Sequence, residues 1–418
     1  MKNFVDVNKE FITFVKKNLH EDPCRLRLRE SGKPHPFDTG LAIDQIEARR
    51  KTKSKLPSFL EHEDFLFPDV LVAEQSTHES VARYNASVAG TGRLIVDMTA
   101  GLGIDAFAFA SGGNRVIAVE MDRNRSRILA HNTRALGLET RMRIVNADSL
   151  KLLPRMKGIL CRGNGNGEKE PVLFLDPVRR GAGNSRTYFL EDCVPDVTEC
   201  LPLLYSYATD ILIKASPVLD IARAKSQLPG LREAHVVSVG GEVKEVLLCL
   251  RRGHTGEVML KAVDLCATAG MNERHSFSLP MSETGDKEAP VAADLAVMET
   301  GYLYDPMPAL HKLHAGGSLC RRFKGLERVS QNTDLYVSRE LYEDFPGRIF
   351  RLEGIVDGKE LKALRRTGMA VISRNHPLSA DMIRKKYALT ESDRLFLIAM
   401  RWGNKEEAVM VKGVKFRV

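Results

Sequence analysis

Residues 94–105 have the sequence Leu94-Ile95-Val96-Asp97-Met98-Thr99-Ala100-Gly101-Leu102-Gly103-Ile104-Asp105. The apolar, β-branched start predicts a buried strand, and the Ala/Phe alternation of residues 106–110 predicts a packed helix after the turn. Gly101 and Gly103 let the backbone approach a ligand that a Cβ atom would repel. The amino end of the following helix favours negative charge. Together these residues predict a ligand site on a strand–turn–helix unit.

A second predicted strand, Arg115–Val119, ends at Glu120. It lies about 20 residues after the turn, where the mononucleotide-binding half of an open α/β sheet places a ribose-binding carboxylate. The two strands therefore predict a site for a cofactor that contains a nucleoside.

Strand and helix patterns alternate from residue 91 to about residue 265, which is typical of a parallel sheet with helices on both faces. Residues 1–90 have helical spacing of their apolar residues, and Thr77 is a candidate N-cap for a helix from Glu79 to Ala86. The further predicted strands are Met142–Val145, Val172–Leu175, Ile211–Lys214 and an antiparallel sixth and seventh, His235–Val239 and Val246–Leu250.

The composition limits the class of protein. The chain has 418 residues with 43% hydrophobic content, enough for two or more domains with sizeable cores. Seven scattered cysteines without a Cys-x-x-Cys pair indicate reduced thiols and argue against a disulfide framework or a zinc ribbon. No run approaches the roughly 18 apolar residues of a membrane span. The start lacks a signal-peptide core, so we expect a cytoplasmic protein.

The positive charge is concentrated at one end of the chain. The net charge is +8, and residues 301–418 contain 22 Lys/Arg against 14 Asp/Glu. A basic module on a neutral body suits a polyanionic partner. A solvated charged surface explains the same count, so charge alone leaves both interpretations open.

The short strand and helix patterns of the carboxyl-terminal third predict small α+β domains. Residues 269–297 are polar and predict a linker. His311, His314 and Cys320 lack a fourth partner at usual metal spacing, so no metal is expected. The predicted elements that follow are strands Arg348–Leu352 and Met369–Ser373 around a helix Lys359–Arg366, a basic helix Ala380–Tyr387 and a hairpin of Leu395–Met400 with Ala408–Val411.

Two cofactor classes fit the glycine turn. Residues 101–106 match the Gly-x-Gly-x-x-Ala pattern of dinucleotide-binding oxidoreductases. However, acidic residues end four predicted strands or their turns: Asp97, Glu120, Asp148 and Asp176. A nicotinamide dinucleotide explains Glu120 and leaves Asp148 and Asp176 unassigned. S-adenosylmethionine has a positive sulfonium and amino group, a ribose diol, an adenine and no pyrophosphate, and it can use all four acids.

Three of the four acids have a predicted partner on S-adenosylmethionine. Asp97 suits the methionine end, Glu120 can accept both ribose hydroxyls, and Asp148 can accept from the adenine amine. Any one of these carboxylates alone is equally explained as a helix N-cap after a strand.

The segment Asp176-Pro177 predicts the chemistry. A carboxylate and a nearby backbone carbonyl that accept the hydrogens of an exocyclic base amine would aim its lone pair at a methyl group. Arg179 and Arg180 can fork onto phosphate or a guanine edge, and Lys214 is a candidate phosphate contact. Surface salt bridges are the alternative role for these cations.

These motifs resemble the bacterial class I S-adenosylmethionine-dependent methyltransferases of the THUMP-like type, and the resemblance covers most of the chain. The turn also resembles that of rRNA guanine-N2 methyltransferases. Thr99 occupies the place of the first glycine of many methyltransferases. The segments that carry the resemblance are Asp-x-Thr-Ala-Gly-Leu-Gly-x-Asp at 97–105, Val-Glu at 119–120, Asn-Ala-Asp at 146–148, Asp-Pro-x-Arg-Arg at 176–180, Glu74–Tyr84 upstream and Ser373-Arg374-Asn375-His376-Pro377-Leu378-Ser379 downstream.

The resemblance implies an α/β, Rossmann-like class I methyltransferase fold. It implies a helical segment at 1–90, a methyltransferase domain at 91–268, a linker at 269–297, a ferredoxin-like α+β domain at 298–347 and a basic THUMP-like domain at 348–418. The implied partner is RNA, either rRNA or tRNA, with no membrane and no metal.

The resemblance also implies the site residues. The acceptor is a base amine, with guanine N2 favoured, because the chain lacks the aromatic residue of the Asn/Asp-Pro-Pro-Tyr motif of adenine-N6 enzymes. An NAD(P)-binding oxidoreductase and a non-catalytic RNA-binding protein remain the alternatives. The implied residues are Asp97, Thr99, Gly101, Gly103, Asp105, Glu120, Met121 and Asp148 for S-adenosylmethionine, Asp176, Pro177 and Arg179 for catalysis, and Arg180 and Lys214 for the substrate.

Overall fold

The computed structural model describes residues 8–160, 169–179, 189–267, 273–285 and 289–416. No helix in these ranges is long and apolar enough to cross a membrane. The chain forms two compact units, which are Met1–Gly240 with Lys244–Val258 and Leu265–Glu273, and Gly241–Val243 with Met259–Asp264 and Arg274–Val418.

The first unit begins with a helical segment, as predicted. Polar residues cap its helices: the side chains of Asn8, Asp22, Asp38 and Asp69 each accept a backbone N–H of the first turn. The six helices are α1 Lys9–Asn18, α2 Pro23–Glu30, α3 Thr39–Lys51, α4 Pro57–Leu60, α5 Val70–Gln75 and α6 Glu79–Ala89.

One N-cap prediction is wrong. The cap of α6 is His78, whose Nδ1 accepts the backbone N–H of Ser80 at 3.2 Å. Thr77 is not the cap because its hydroxyl donates to the buried carboxylate of Asp105. A residue that a capping argument assigns to local structure thus belongs to a long-range contact.

The sheet of this unit confirms the predicted parallel core. Its strand order is β8-β9-β7-β4-β1-β2-β3, in which β3, β2, β1, β4 and β7 are parallel and β9 runs antiparallel to β7. A separate two-residue pair, β5 and β6, is antiparallel. The strands are β1 Leu94–Asp97, β2 Arg115–Glu120, β3 Met142–Asn146, β4 Val172–Leu175, β5 Val178–Arg179, β6 Cys193–Val194, β7 Asp210–Ala215, β8 Leu231–Val239 and β9 Glu242–Arg251.

The helix after the glycine turn forms the centre of the core. Every residue from Ile104 to Ala110 is buried. The rings of Phe109 and Phe174 pack edge to face with their centroids 5.0 Å apart. The next helix along the chain begins at Arg123. The helices between the strands are α7 Ile104–Ser111, α8 Arg123–Ala135, α9 Ser149–Leu152, α10 Lys157–Leu160, α11 Val197–Tyr205 and α12 Ile221–Gln227.

The second unit is built on a seven-stranded sheet with the order β13-β14-β12-β15-β18-β17-β16. The predicted hairpin is confirmed as the antiparallel pair β17 and β18. Its strands are β10 Met259–Leu265 and β11 Glu273–Pro280, which lie outside that sheet, and β12 Tyr302–Pro306, β13 Glu327–Ser330, β14 Thr333–Ser338, β15 Gly347–Ile355, β16 Ala370–Arg374, β17 Leu395–Trp402 and β18 Glu407–Lys415. Its helices are α13 Val297–Thr300, α14 Pro308–Lys312, α15 Gly316–Arg322, α16 Gly358–Ala363 and α17 Ala380–Tyr387.

The span predicted as a linker, residues 269–297, contains the strand β11. Phe277 and Leu279 of β11 are buried, in the alternation expected of a strand. Two apolar residues at a spacing of two were too short a pattern to outweigh their polar neighbours in the sequence.

The two small domains predicted at 298–347 and 348–418 share one sheet. Strand β12 pairs antiparallel with β15 from Tyr302↔Arg351 to Pro306↔Gly347. One apolar cluster contains Leu303 on β12, Phe350 on β15 and Ile398 on β17. The boundary predicted between residues 347 and 348 therefore falls within a continuous core.

Candidate functional site

The turn after β1 is tied to the end of β4. The backbone N–H of Met98 donates to the carbonyl of Phe174 at 2.9 Å. The hydroxyl of Thr99 accepts the backbone N–H of Asp176 at 2.7 Å. Thr99 therefore fixes the start of the Asp176-Pro177 segment, a role that glycine at this position could not supply.

Gly101 and Glu120 form the second link across the strand ends. The two carboxylate oxygens of Glu120 accept the backbone N–H groups of Gly101 at 3.0 Å and Asp122 at 2.7 Å. Gly101 has φ +54°, and a Cβ atom built on it would have no heavy atom nearer than 3.9 Å. Open space thus borders a turn whose backbone orients a carboxylate, as the predicted ribose site requires.

Gly103 has a packing role in the fold, and its predicted approach to a ligand stays a prediction. Its φ is +92°, and a Cβ atom there would lie 2.2 Å from Cδ1 of Leu129 on α8. Gly103 precedes the first residue of α7. The glycine therefore allows the start of α7 to pack against α8.

We expect Gly103→Ala to lower the free energy of unfolding by about 2 kcal/mol or more, measured by urea denaturation. Left-handed strain contributes about 1–2 kcal/mol, and overpacking against Leu129 adds about 1–3 kcal/mol. Gly113→Ala is the matched control, since Gly113 has φ +91° but nothing within 4 Å of its Cβ position. Equal losses for the two variants would contradict the packing role.

A buried ion-pair network lies beside Asp176. Nζ of Lys214 donates to Oδ2 of Asp176 at 2.5 Å and to the hydroxyl of Thr77 at 2.7 Å, and it lies 3.6 Å from Oδ2 of Asp105. Asp105 also accepts from Thr77 and, at 3.0 Å, from the amide of Asn85. The network joins α6, α7 and β7 to the end of β4.

The charge balance of this network favours an additional cation. The side chain of Lys214 is 12% exposed; burial lowers its pKa, but the charges of Asp176 and Asp105 outweigh burial and leave the pKa raised. Burial raises the pKa of Asp97 well above its usual range. The hydrogen bond from the backbone N–H of Thr99 opposes this shift only in part. Several carboxyls thus share one lysine, so a positively charged ligand at Asp97 would be stabilised.

Asp148 and Met121 lie on the loops after β3 and β2. Oδ1 of Asp148 accepts the N–H groups of Leu150 at 3.1 Å and Lys151 at 3.3 Å, so Asp148 caps α9. The side chain of Met121 is 71% exposed. Asn146 holds this loop through bonds from its amide to the carbonyls of Glu120 and Met121. The predicted adenine contact by Asp148 stays a prediction alongside its observed capping role.

The remaining predicted site residues are Arg179, assigned to catalysis, and Arg180 and Lys214, assigned to the substrate. Arg179 lies on β5, with its backbone paired to Cys193. Arg180 lies outside the described residues. The predicted phosphate contact by Lys214 stays a prediction, and the observed partners of Lys214 are Asp176, Thr77 and Asp105.

Three site residues were missed from the sequence: Thr77, Asn85 and Glu245. Thr77 lies in the upstream segment that carried the family resemblance, which was the one signal available. Glu245 lies on β9 and is almost fully buried. In the part of the chain that the structure describes, no three His, Cys, Asp or Glu side chains are placed to hold a metal ion.

Three family models match the chain in succession. An RNA cap guanine-N2 methyltransferase model matches residues 92–164. A ferredoxin-like domain model matches residues 302–346, and a THUMP domain-like model matches residues 347–412. The last two meet at the strand pair β12 and β15 described above.

Comparisons with individual proteins agree with the family models. An uncharacterized S-adenosylmethionine-dependent methyltransferase of Mycobacterium tuberculosis, found in two strains, is 28% identical over 210 residues, which is 49% of this chain. The chain spans about half the length of these curated relatives, 52%. A crystal structure from Porphyromonas gingivalis W83, described as a methyltransferase, is 26% identical, covers 98% of both chains and has a TM-score of 0.80. By fold, strand-end residues and these matches, the chain is similar to class I S-adenosylmethionine-dependent methyltransferases that carry a THUMP-like domain.

Proposed function

We propose that the protein transfers a methyl group from S-adenosylmethionine to an exocyclic amine of an RNA base, with guanine N2 favoured. The observation that carries this proposal is the convergence of Asp97, Glu120 and Asp176 at the ends of three neighbouring strands, with Asp176 fixed by Thr99 and Lys214.

The residues at the turn fit S-adenosylmethionine better than a dinucleotide. The turn presents carboxylates from Asp97 and Glu120, and burial, together with the charges of Asp105 and Asp176, raises the pKa of Asp97. A cationic cofactor without pyrophosphate would stabilise these carboxylates, whereas a pyrophosphate would add negative charge. The open space beside Gly101 accommodates the approach of a ligand to the backbone.

When bound, S-adenosylmethionine supplies a methyl group on a positively charged sulfur. Asp97 would hold the methionine end, Glu120 the ribose hydroxyls and Asp148 the adenine amine. Oδ2 of Asp176 is occupied by Lys214, which leaves Oδ1 to accept a hydrogen of the acceptor amine. Pro177 fixes the direction of the chain after Asp176. Orientation of the amine in this partly buried site supplies most of the rate gain.

Three observations favour guanine. The first unit matches a guanine-N2 methyltransferase model over residues 92–164. The residue after Pro177 is Val178, so the aromatic platform of adenine-N6 enzymes is missing from this position. Arg179 supplies donors suited to the acceptors on a guanine edge. Incubation with bulk RNA from a strain lacking the protein, followed by nucleoside mass analysis, tests the assignment; methyl on ribose, a ring carbon or protein would overturn it.

We expect Glu120→Ala to weaken S-adenosylhomocysteine binding by about 1–3 kcal/mol, because it removes a charged acceptor of the ribose hydroxyls. Isothermal calorimetry measures the change, and Glu139→Ala at an exposed position is the control. If the wild-type protein bound NAD but not S-adenosylhomocysteine, the result would contradict the proposed methyltransferase function and support an oxidoreductase.

The THUMP-like domain is the proposed RNA contact. Residues 348–418 contain 16 Lys/Arg against 8 Asp/Glu. In the second unit, the buried carboxylate of Asp305 accepts a hydrogen bond from Nε of Arg348 at 3.0 Å. Oδ1 of Asp305 lies 3.7 Å from Nη2 of Arg374. Both arginines are nearly half exposed. A buried acid thus holds two guanidinium groups close together, which suits a phosphodiester backbone.

We expect Arg374→Gln to lower RNA affinity and to reduce the salt slope of binding by about 1, as loss of a phosphate contact does. Arg351→Gln is the matched control, because Arg351 is also exposed and paired with one acid, Glu353, away from Asp305. Filter binding across a salt series gives both values. Equal effects of the two variants would indicate a diffuse charge rather than a defined contact.

A further inference from the structure

We propose that the first unit carries a further RNA-binding site, a basic groove at the amino ends of strands β1, β2 and β3. The groove lies at the edge of the sheet opposite to Asp97, Glu120 and Asp176. The inference rests on the proposed function, because it takes RNA as the substrate and adds a contact remote from the base that is methylated.

The groove has a volume of about 710 Å³ and a lining of two kinds. Leu94 and Ile117 on the sheet and Ile159 on α10 supply apolar surface, and Ile159 is 55% exposed. A nucleotide combines an anionic phosphate with a base that has apolar faces, so both parts of this lining suit it. The charged part of the lining consists of four cations and one acid, which are Arg115, Arg141, Arg143, Lys169 and Glu139.

The register of the sheet places three of these cations on one face. Val116 of β2 pairs with Met142 of β3, and both side chains are buried. Since side chains alternate along a strand, the residues on either side of this pair point to the opposite face. Arg115, Arg141 and Arg143 are three of them, and all three are exposed. Residues two positions apart on a strand are about 7 Å apart, a spacing comparable with that of successive phosphates in an RNA strand.

The fold leaves these charges without compensation. Like charges side by side on a sheet destabilise it. Arg141 and Arg143 form no ion pair with an acid in the part of the chain that the structure describes. Lys169 is held at the same edge, because its Nζ donates to the carbonyl of Thr91 at 2.8 Å, and this bond adds no negative charge. An anionic ligand would supply the missing charge.

An RNA strand fits this groove better than a free nucleotide does. The cations are exposed, so the groove is open to solvent, whereas sites for small molecules bury most of the ligand surface. Strand β2 runs from Arg115 at the groove to Glu120 at the proposed ribose site, and its six residues span about 20 Å. Only an RNA of more than a few nucleotides can occupy both places. The groove therefore favours a long or folded RNA substrate.

Filter binding of bulk RNA across a salt series tests the groove. We expect Arg141→Gln/Arg143→Gln to reduce the salt slope of binding by about 2, one for each lost phosphate contact. Arg125→Gln/Arg134→Gln is the matched control, because it removes two exposed arginines from α8, which packs on the other face of the sheet. Equal changes of slope for the two double variants would overturn the groove as a defined contact.

Ile159→Ser tests the apolar part of the groove. RNA affinity should fall at every salt concentration with the slope unchanged, because an apolar contact releases no counterions. Leu28→Ser on α2 is the control, since Leu28 is also apolar and is 80% exposed. An Ile159→Ser protein that bound RNA as tightly as Leu28→Ser would overturn the contact between the groove and a base.

Kinetics separate the groove from the proposed function. We expect Arg141→Gln/Arg143→Gln to raise the KM for RNA with kcat unchanged, because contacts far from the reacting base are the same before and during methyl transfer. An unchanged KM would overturn the groove and indicate that the arginines only protect the edge strand β3 from pairing with other chains. A wild-type protein that bound RNA through the groove but methylated none would refute the proposed function and leave the groove standing.

Discussion

Asp176→Ala should reduce kcat for RNA methylation by about 100-fold or more while scarcely changing the affinity for S-adenosylhomocysteine. In the proposed reaction, the hydrogen bonds from the acceptor amine to Asp176 would strengthen only as the amine attacks, so their loss would raise the barrier rather than weaken ground-state binding. Single-turnover rates and calorimetry on the same preparation measure the two quantities.

Asp176→Asn separates the accepting role from the charge. Its amide oxygen can still accept from the substrate amine, so the loss in kcat should be smaller than in Asp176→Ala. The fold should tolerate both variants, because Lys214 keeps Thr77 and Asp105 as partners. An Asp176→Ala protein that retained full turnover would remove Asp176 from the reaction.

Lys214→Met should lower the free energy of unfolding by about 3–5 kcal/mol, the usual cost of removing one partner from a buried ion pair. The loss leaves Asp105 buried without its cation, and Glu245 and Asp97 lie in the same region. Chemical denaturation at pH 7 measures the change.

Lys151→Met provides the contrast for this large effect. Lys151 also pairs with one aspartate, Asp148, at 3.3 Å, but its side chain is largely exposed. Exposed pairs contribute little to stability, so this variant should unfold close to the wild type. A Lys214→Met protein as stable as Lys151→Met would show that the buried carboxyls accept protons at little cost when the lysine is removed.

Local sequence patterns were sufficient to predict the strands that carry the acidic residues of the site. The strands that end at Asp97, Glu120 and Asp176 could be predicted because each is a short apolar run followed by an acid and a turn. Since parallel strands place their carboxyl ends at one edge of a sheet, the sequence alone predicts that these acids lie close together.

The network behind those acids could not be predicted in the same way. Thr77 and Lys214 are 137 positions apart, and Asn85 and Glu245 lie on different elements with no shared motif. The packing of Gly103 against Leu129 could not be predicted either, because no sequence spacing reveals that contact. Contacts of this kind depend on how α6, α7 and β9 pack, which is a property of the folded chain.

The sheet that joins β12 to β15 determines how the carboxyl-terminal part can unfold. Separate domains can open one at a time, each with its own free energy. A strand pair in the middle of one sheet gives the ferredoxin-like and THUMP-like segments a common cooperative unit, because opening either exposes apolar residues of the other. The place where two family models meet, between residues 346 and 347, is therefore a boundary in sequence relationships and not in local stability.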